Sequence, residues 1–276
     1  MTKGAVLIAC NNAQIDYVKQ AVFCAQRIIK FLNIPVTLIT DNIAYVNTSY
    51  PDHPFDQIIL SSDNNYTHKK YNDGNFIRCN LEFKNTSRSD VYDLTPYDET
   101  ILMDTDFLLG NDVFLNCFLQ SSNFMIYKNG VELSGWRNLQ EFEYISDSGI
   151  DFYWATVIFF RKNSTNKIFF DLLKHIKENW THYKRLYSLT TSTFRNDHAF
   201  SIALHIMNNY QPGNFSKSLP GKMFYTTDND ILIALTDNTF KFLIENKNSQ
   251  YFPASITDSN IHIMNKFSLN RIIDCG

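Results

Sequence analysis

A strand–helix–strand pattern at the start of the chain most constrains the possible folds. Residues 5–9 form a short apolar run typical of a buried strand, and residues 15–32 carry apolar side chains at helical spacing. Pro35 ends the helix, and residues 36–40 form a second buried strand. Two such strands joined by a helix make a βαβ unit, whose parallel strands must be covered by helices. The pattern therefore predicts an α/β fold with a mostly parallel sheet flanked by helices and with ligands at the carboxyl ends of the strands.

The rest of the chain continues the alternation of strands and helices. We predict strands at 55–60, 100–103, 124–128 and 153–160 and helices at 168–180 and 194–208. The polar stretch 61–90 predicts a long loop, or a loop with a short helix, and the tail from residue 211 mixes turns with short strands. No internal repeat or linker divides the sequence, so we predict a single domain over 1–276.

Composition excludes several classes of protein. Charged residues make up 19% and aromatic residues 15% of the 276 residues, which argues against disorder and for a well-filled core. The formal charge of −3 gives no global cationic field for non-specific nucleic-acid binding. Five cysteines without a CxxC spacing suit neither a disulfide framework nor a zinc site. With no signal peptide and no apolar run of about 20 residues, the sequence predicts a cytoplasmic protein without a transmembrane segment.

The most informative segment is the strand at 100–103 with the residues that follow it, Asp104, Thr105 and Asp106. Two carboxylates two positions apart, where a strand ends, can lie on one side of the chain and share a cation. Hard oxygen ligands of this kind suit Mg²⁺ or Mn²⁺, which commonly hold a substrate diphosphate as well. A solvated turn after a strand is the alternative explanation of the same tripeptide.

Other short segments complete a pattern around this strand. They are Cys10-Asn11-Asn12-Ala13 before the first helix, Arg88, Leu94 and Tyr97 upstream of the acidic segment, Asp197-His198-Ala199 at a helix start, and His262 near the end. With these residues the chain resembles the metal-dependent nucleotide-sugar glycosyltransferases of the GT-A fold, and most closely the glycogenin-like family 8. The resemblance runs from the first strand to the tail, and it implies a Rossmann-like GT-A domain that carries a DxD motif.

The resemblance also implies a role for individual residues. The expected donor-binding residues are Asn11, Asn12, Arg88, Asp104, Thr105 and Lys266. The expected metal ligands are Asp104, Asp106 and His262. Lys266 would act with the metal to stabilise negative charge on the departing diphosphate. Asp197, the expected catalytic residue, would lie on the far side of the sugar, where it stabilises developing positive charge or positions the acceptor.

The sequence departs from the family pattern at two places. On the strand after the acidic motif the family has Asn-x-Gly, whereas this chain has Trp154-Ala155-Thr156. We expect the Trp154 ring to influence acceptor choice, since aromatic faces stack on sugars and bases. In the tail, Ser268 occupies the usual lysine position, and Lys266 lies two residues earlier on a flexible stem that reaches a diphosphate.

The implied activity is hexosyl transfer from a nucleotide-diphosphate sugar, expected to be a uridine-diphosphate sugar. Mn²⁺ or Mg²⁺ would be the cofactor, and the anomeric configuration would be retained. Residues 1–106 would form the nucleotide-binding half, and residues 107–276 the acceptor side with the metal-site tail. The acceptor stays open between a glycan, a protein, a lipid and a modified nucleic-acid base.

Two other functions fit parts of the pattern. A nucleotidyltransferase of sugar-nucleotide metabolism also uses acidic metal ligands, but it is expected to have a glycine-rich loop after its first strand, and residues 10–14 contain no glycine. A catalytically silent protein that binds a nucleotide sugar or a glycan is the second. Single residues also have structural explanations: packing for His262, a helix cap for Asp197 and a solvated loop charge for Arg88.

Overall fold

Strands and helices alternate along most of the chain. The computed structural model describes residues 1–63, 65–137, 142–147, 149–190 and 193–275. The strands are β1 (Lys3–Ile8), β2 (Val36–Thr40), β3 (Gln57–Leu60), β4 (Thr67–Asp73), β5 (Ile77–Phe83), β6 (Glu99–Met103), β7 (Phe107–Leu108), β8 (Phe124–Tyr127), β9 (Gly130–Glu132), β10 (Trp154–Arg161), β11 (Met223–Thr226), β12 (Ile231–Leu235), β13 (Thr239–Glu245), β14 (Tyr251–Thr257) and β15 (Ile261–Ile263). The helices are α1 (Tyr17–Leu32), α2 (Ile43–Ser49), α3 (Val91–Leu94), α4 (Leu115–Leu119), α5 (Ser164–Glu178), α6 (Trp180–Leu186), α7 (Asn196–Met207) and α8 (Lys266–Cys275), with a 3₁₀ turn at Ser87–Asp90.

A six-stranded sheet with the order β3-β2-β1-β6-β10-β8 forms the centre of the fold. The first four strands of that order are parallel, and β10 runs antiparallel to both of its neighbours. All of β2, and all of β1 after Lys3, is buried, as expected for parallel strands covered on both faces. The predicted α/β fold with a mostly parallel sheet flanked by helices is confirmed.

The predicted elements of the central layer agree with the structure. The strands predicted at 55–60, 100–103, 124–128 and 153–160 are β3, β6, β8 and β10. The helices predicted at 168–180 and 194–208 are α5 and α7. α5 begins earlier than predicted, at Ser164, because the side-chain oxygen of Asn163 caps it by accepting the Asn166 N–H (2.8 Å).

The prediction of a loop at 61–90 is wrong for most of that stretch. β4 and β5 form an antiparallel hairpin. Its turn contains Gly74 with a φ of +57°, where a side chain would also meet Tyr251. The Gly74 N–H donates to the Asp228 carbonyl (3.2 Å), and the Asn75 N–H donates to the Tyr251 hydroxyl (3.0 Å). The tip of the hairpin is therefore fixed to the rest of the protein.

The tail is more regular than predicted. β12, β13 and β14 form an antiparallel three-stranded sheet, and α8 follows β15. Asn265 starts α8, because its side-chain oxygen accepts the Ser268 N–H (2.9 Å). Arg271 on α8 binds the Asp73 carboxylate beside the hairpin turn (2.9 Å). The expectation of turns and short strands alone missed this helix.

Aromatic side chains fill the space between α5, α7 and β8. Phe169 is fully buried, and its ring centroid lies 4.7 Å from that of Phe124, 5.5 Å from that of Phe170 and 5.7 Å from that of Phe200. Tilted and edge contacts of this kind suit the charge distribution of aromatic rings. The prediction that much of the aromatic content fills the core is confirmed. Within the described ranges, no helix is both long enough and apolar enough to cross a bilayer.

Phe169→Ala will lower the free energy of unfolding by about 3–5 kcal/mol, because it removes a buried ring and leaves a cavity. Ile168→Ala is the matched control, since the neighbouring Ile168 side chain is 59% exposed and its loss will cost less than about 0.5 kcal/mol. Urea denaturation followed by circular dichroism measures both values. Equal losses in the two variants would contradict the place of Phe169 in the core.

Candidate active site

Asp104 and Asp106 lie just beyond the carboxyl end of β6, in a turn. The Phe107 N–H donates to the Asp104 carbonyl (3.1 Å), which closes the turn. The Asp104 N–H donates to the Thr156 carbonyl on β10 (2.8 Å). Both carboxylates therefore belong to the edge of the sheet where α/β proteins bind their ligands.

The tail reaches this edge through strand pairing. β7 pairs antiparallel with β15, and the pairing places His262 opposite Phe107. The Ile263 N–H donates to the Asp106 carbonyl (2.9 Å), and Lys266 begins α8 just beyond. His262 and Asp106 thus meet although 156 positions separate them in the sequence.

Asp104, Asp106 and His262 form one polar cluster. One ligand atom from each lies within 4.8 Å of the other two. His262 Nε2 lies 3.2 Å from Asp106 Oδ2, and the Lys266 ammonium pairs with the same carboxylate. The carboxylates suit Mg²⁺ or Mn²⁺, and the imidazole adds a nitrogen donor. The residues present therefore fit a divalent cation.

Burial and charge set the protonation states of this cluster. Burial alone would raise the pKa of Asp106, but Lys266 and His262 outweigh it and lower that pKa below its ordinary value. Burial lowers the pKa of His262, despite the opposing effect of Asp106. An ionised carboxylate and a neutral imidazole are the forms that bind a metal ion.

Arg88 and Thr105 flank the cluster. Arg88 is buried on the 3₁₀ turn and forms an ion pair with Asp104, so the alternative explanation as a solvated loop charge is wrong. The Thr105 hydroxyl is also buried and donates to the side-chain oxygen of Gln20 on α1 (3.4 Å). Both contacts therefore help to hold the turn that carries Asp104 and Asp106.

Asp197 lies in the first turn of α7, with its carboxylate held by a backbone donor and a cation. The Ala155 N–H donates to Asp197 Oδ1 (2.9 Å), and Arg195 lies 3.4 Å from Oδ2. Burial would raise the pKa of Asp197, but Arg195, Arg88 and the Ala155 N–H lower it overall. The side chain is therefore an ionised carboxylate at neutral pH.

A cavity of about 860 Å³ joins these groups. Its walls include eight of the residues singled out in the sequence: Arg88, Asp104, Thr105, Asp106, Trp154, Asp197, His262 and Lys266. Small-molecule sites have volumes of roughly 300–1,000 Å³. The fold therefore brings residues from β6, β10, α7 and the tail to one site large enough for a nucleotide-sized ligand.

Asn11 and Asn12 are not among the residues that line this cavity. The side-chain oxygen of Asn11 accepts the Val18 N–H (3.0 Å), and that of Asn12 accepts the Ile15 N–H (2.9 Å). The side-chain amide of Asn12 also donates to the Glu82 carbonyl on β5 (2.9 Å). Both residues shape the turn before α1, and their contact with a donor stays a prediction.

Trp154 lies in the cavity wall but is only 2% exposed. Its ring packs on Phe142 and Tyr225, with centroid distances of 4.6 Å and 4.8 Å, and stands nearly perpendicular to the His262 ring (87°). Protein atoms thus cover most of the indole surface. A role in acceptor choice stays a prediction, and it is restricted to the small part of the ring that reaches the cavity.

One wall of the cavity, the β4–β5 hairpin, was not predicted from the sequence. Lys69, Tyr71 and Phe83 of this hairpin line the cavity. The available signal was Asn-Asp-Gly-Asn at 72–75, because Asp-Gly between two strand-like runs is a strong hairpin indicator. Arg195, which falls within the helix predicted at 194–208 and had no predicted role in the site, also lines the cavity.

Comparisons with known proteins give structural similarity only. No protein-family profile matches the chain, and no curated protein matches its sequence. The glycosyltransferase GlyE of Streptococcus pneumoniae TIGR4 is 13% identical with a TM-score of 0.45, over 79% of this chain and 45% of GlyE. Bifunctional IspDF of Campylobacter jejuni is 11% identical with a TM-score of 0.44, over 80% of this chain and 50% of IspDF. Mouse xyloside xylosyltransferase 1 is 8% identical with a TM-score of 0.45, over 79% of this chain and 85% of the mouse enzyme. The chain spans about half the length of the first two proteins.

Acidification will destabilise the protein through His198, which follows Asp197 on α7. Burial lowers the pKa of His198 from 6.5 to about 4, so unfolded His198 binds a proton at pH values where the folded side chain stays neutral. The stability from His198 is complete above pH 6.5 and is lost as pH falls. Between pH 7 and pH 5 we expect this group to cost on the order of 2 kcal/mol of unfolding free energy.

Urea denaturation at the two pH values measures the effect in the wild type and in His198→Gln. The variant is expected to lose stability less steeply on acidification. His205→Gln, which changes a less buried histidine of the same helix, serves as the control and will keep most of the pH dependence. An unaltered pH dependence in His198→Gln would show that His198 takes up a proton equally in the folded and the unfolded protein.

Proposed function

We propose that this protein is a metal-dependent glycosyltransferase of the GT-A type, which transfers a sugar from a nucleotide-diphosphate donor to an acceptor. The observation that carries the proposal is the cluster of Asp104, Asp106 and His262 in a cavity of about 860 Å³. The position of the cluster beyond a central strand of a mostly parallel sheet supports the same class.

Asp104, Asp106 and His262 would hold Mn²⁺ or Mg²⁺. When bound, the cation would neutralise charge on the donor diphosphate. Arg88 orients the Asp104 carboxylate through their ion pair, and β7–β15 pairing keeps His262 beside Asp106. These contacts within the chain support a role for the three side chains as one ligand set.

Lys266 would stabilise the leaving group. Its buried ammonium pairs with Asp106, and a diphosphate bound beside the cluster would provide a second partner for it. A cation fixed in a water-poor site before the reaction stabilises negative charge as it develops on the departing phosphate. Breaking the bond between the sugar and the diphosphate creates this charge, so the benefit falls on the transition state.

Asp197 would act on the sugar side. Its carboxylate is held by the Ala155 N–H and is ionised, and it lines the same cavity. A fixed negative charge there would stabilise positive charge on the reacting sugar carbon or position the acceptor hydroxyl. Either role requires the carboxylate to stay in place, which its backbone hydrogen bond favours.

The finer features of the proposal follow the resemblance to the glycogenin-like family 8. The donor would be a uridine-diphosphate hexose, and transfer would retain the anomeric configuration. A single GT-A domain over 1–276 would divide into a nucleotide-binding half, 1–106, and an acceptor-side half, 107–276, that ends in the metal-site tail.

A screen of nucleotide sugars, with and without Mn²⁺, tests the proposed function. We expect hydrolysis or transfer from one donor class, and its loss in excess chelator. Asp104→Asn will lower kcat by at least about 100-fold, because it weakens the metal site and removes charge beside the diphosphate. Asp112→Asn is the matched control: Asp112 is an exposed carboxylate before α4, and its variant will keep wild-type kcat.

His262→Ala examines the tail separately, and we expect it to raise the Mn²⁺ concentration needed for half-maximal activity, because one proposed ligand is lost. An unchanged Mn²⁺ titration would remove His262 from the proposed ligand set. Full activity of Asp104→Asn, or full wild-type activity in chelator, would overturn the metal role. Condensation of a sugar 1-phosphate with a nucleoside triphosphate would identify a nucleotidyltransferase instead. No turnover of any donor, together with no thermal shift from any nucleotide, would contradict both the glycosyltransferase and the nucleotidyltransferase assignment.

A further inference from the structure

One wall of the cavity is the β4–β5 hairpin, which the proposed reaction does not use. Successive side chains of a strand point to opposite faces. Lys69 and Tyr71 therefore share a face of β4, and the register places Leu81 opposite Lys69. Lys70 belongs to the other face, although it also touches the cavity. The Lys69 side chain lines the cavity together with that of Tyr71.

Lys69 has no carboxylate partner in the part of the chain that the structure describes. Three other cations of the cavity wall are paired: Arg88 with Asp104, Arg195 with Asp197, and Lys266 with Asp106. The Lys69 ammonium instead lies over two aromatic rings, 5.5 Å from the centroid of Phe83 and 5.9 Å from that of Tyr71. Ring faces attract an ammonium but leave its donors free for oxygen acceptors.

Charged groups from other elements act on Lys69 across the cavity. Protein atoms packed around the Lys69 ammonium, together with Lys266 and Arg195, lower its pKa to about 8, and Asp106 and Asp197 oppose them, although the side chain as a whole is exposed. Most Lys69 side chains are therefore protonated at pH 7, close to two further cations. A multiply charged anion bound among these three groups would relieve their mutual repulsion and gain from all of them.

We propose that Lys69 binds phosphate oxygens of the donor diphosphate from the hairpin side of the cavity, together with Lys266. The inference rests on the proposed function, which supplies the diphosphate. A phosphate on the acceptor would offer the same chemistry. The experiment therefore uses one probe that carries the donor's diphosphate on a nucleoside and one that is free to occupy any phosphate site.

Isothermal titration calorimetry at pH 7 with Mg²⁺ measures the binding of uridine diphosphate, uridine and inorganic pyrophosphate. Lys69→Met is expected to weaken uridine diphosphate and pyrophosphate binding by about tenfold, since a charge-assisted hydrogen bond is lost. Uridine binding will not change. Lys69→Arg, which keeps the charge, will bind uridine diphosphate within about threefold of wild type.

Arg78→Met is the matched control, because it removes a positive charge from an exposed position of β5 in the same hairpin that does not line the cavity. We expect this variant to keep wild-type affinity for all three probes. An equal loss in Arg78→Met would show that only the general charge of the hairpin matters. An equal loss of uridine and uridine diphosphate binding in Lys69→Met would show that the substitution disturbs the hairpin. Either result overturns the inference.

The same titrations separate this inference from the proposed function. Loss of pyrophosphate binding with uridine diphosphate binding intact would assign the phosphate to the acceptor and overturn the donor assignment. Unchanged binding in Lys69→Met alongside normal donor turnover would overturn the inference and leave the glycosyltransferase proposal standing. Lys69-dependent binding of pyrophosphate and uridine diphosphate, in a protein that turns over no nucleotide sugar, would support the phosphate contact and contradict the proposed function.

Discussion

The site depends on the burial of a single carboxylate. Asp106 is 4% exposed, and an ion with so little access to water must be matched by positive charge and hydrogen bonds. Lys266 and His262 provide that match from the tail, and the Asp106 carbonyl accepts the Ile263 N–H. These contacts hold β15 and α8 against the end of β6. The tail is therefore a structural part of the cavity, and removal of one partner leaves a buried charge without compensation.

The sequence predicted the buried layer of the fold well and its outer parts poorly, for a physical reason. Parallel strands such as β1, β2 and β6 are covered on both faces, so their apolar runs are continuous and easy to recognise. The β4–β5 hairpin is partly exposed and carries lysine, histidine and asparagine in place of an apolar alternation. α8 begins at a buried lysine, Lys266, whose charge is compensated only in three dimensions.

The candidate site shows the same division between local and long-range information. Asp104 and Asp106 were recognisable because two carboxylates two positions apart at the end of a strand can bind one cation together. The meeting of Asp106 with His262 depends on β7–β15 pairing, which no local pattern in either segment specifies. Lys69 was missed because a lysine in a polar stretch looks like an ordinary surface charge until the hairpin places it at the cavity. Asn11 was predicted to bind the donor because it stands in the segment Cys10-Asn11-Asn12-Ala13. In the structure its side-chain oxygen instead accepts the Val18 N–H and stabilises the turn before α1.

The fixed ends of the β4–β5 hairpin determine how a ligand meets this wall. Gly74 and Asn75 tie the tip to neighbouring segments, and the Asn12 side chain holds the Glu82 carbonyl near the other end. The hairpin is thus held by hydrogen bonds at both of its ends and does not form a free flap. A ligand that binds against it loses no free energy to ordering a disordered loop, so affinity reflects the contacts themselves. We therefore expect that no closing step of this hairpin limits the association of a ligand.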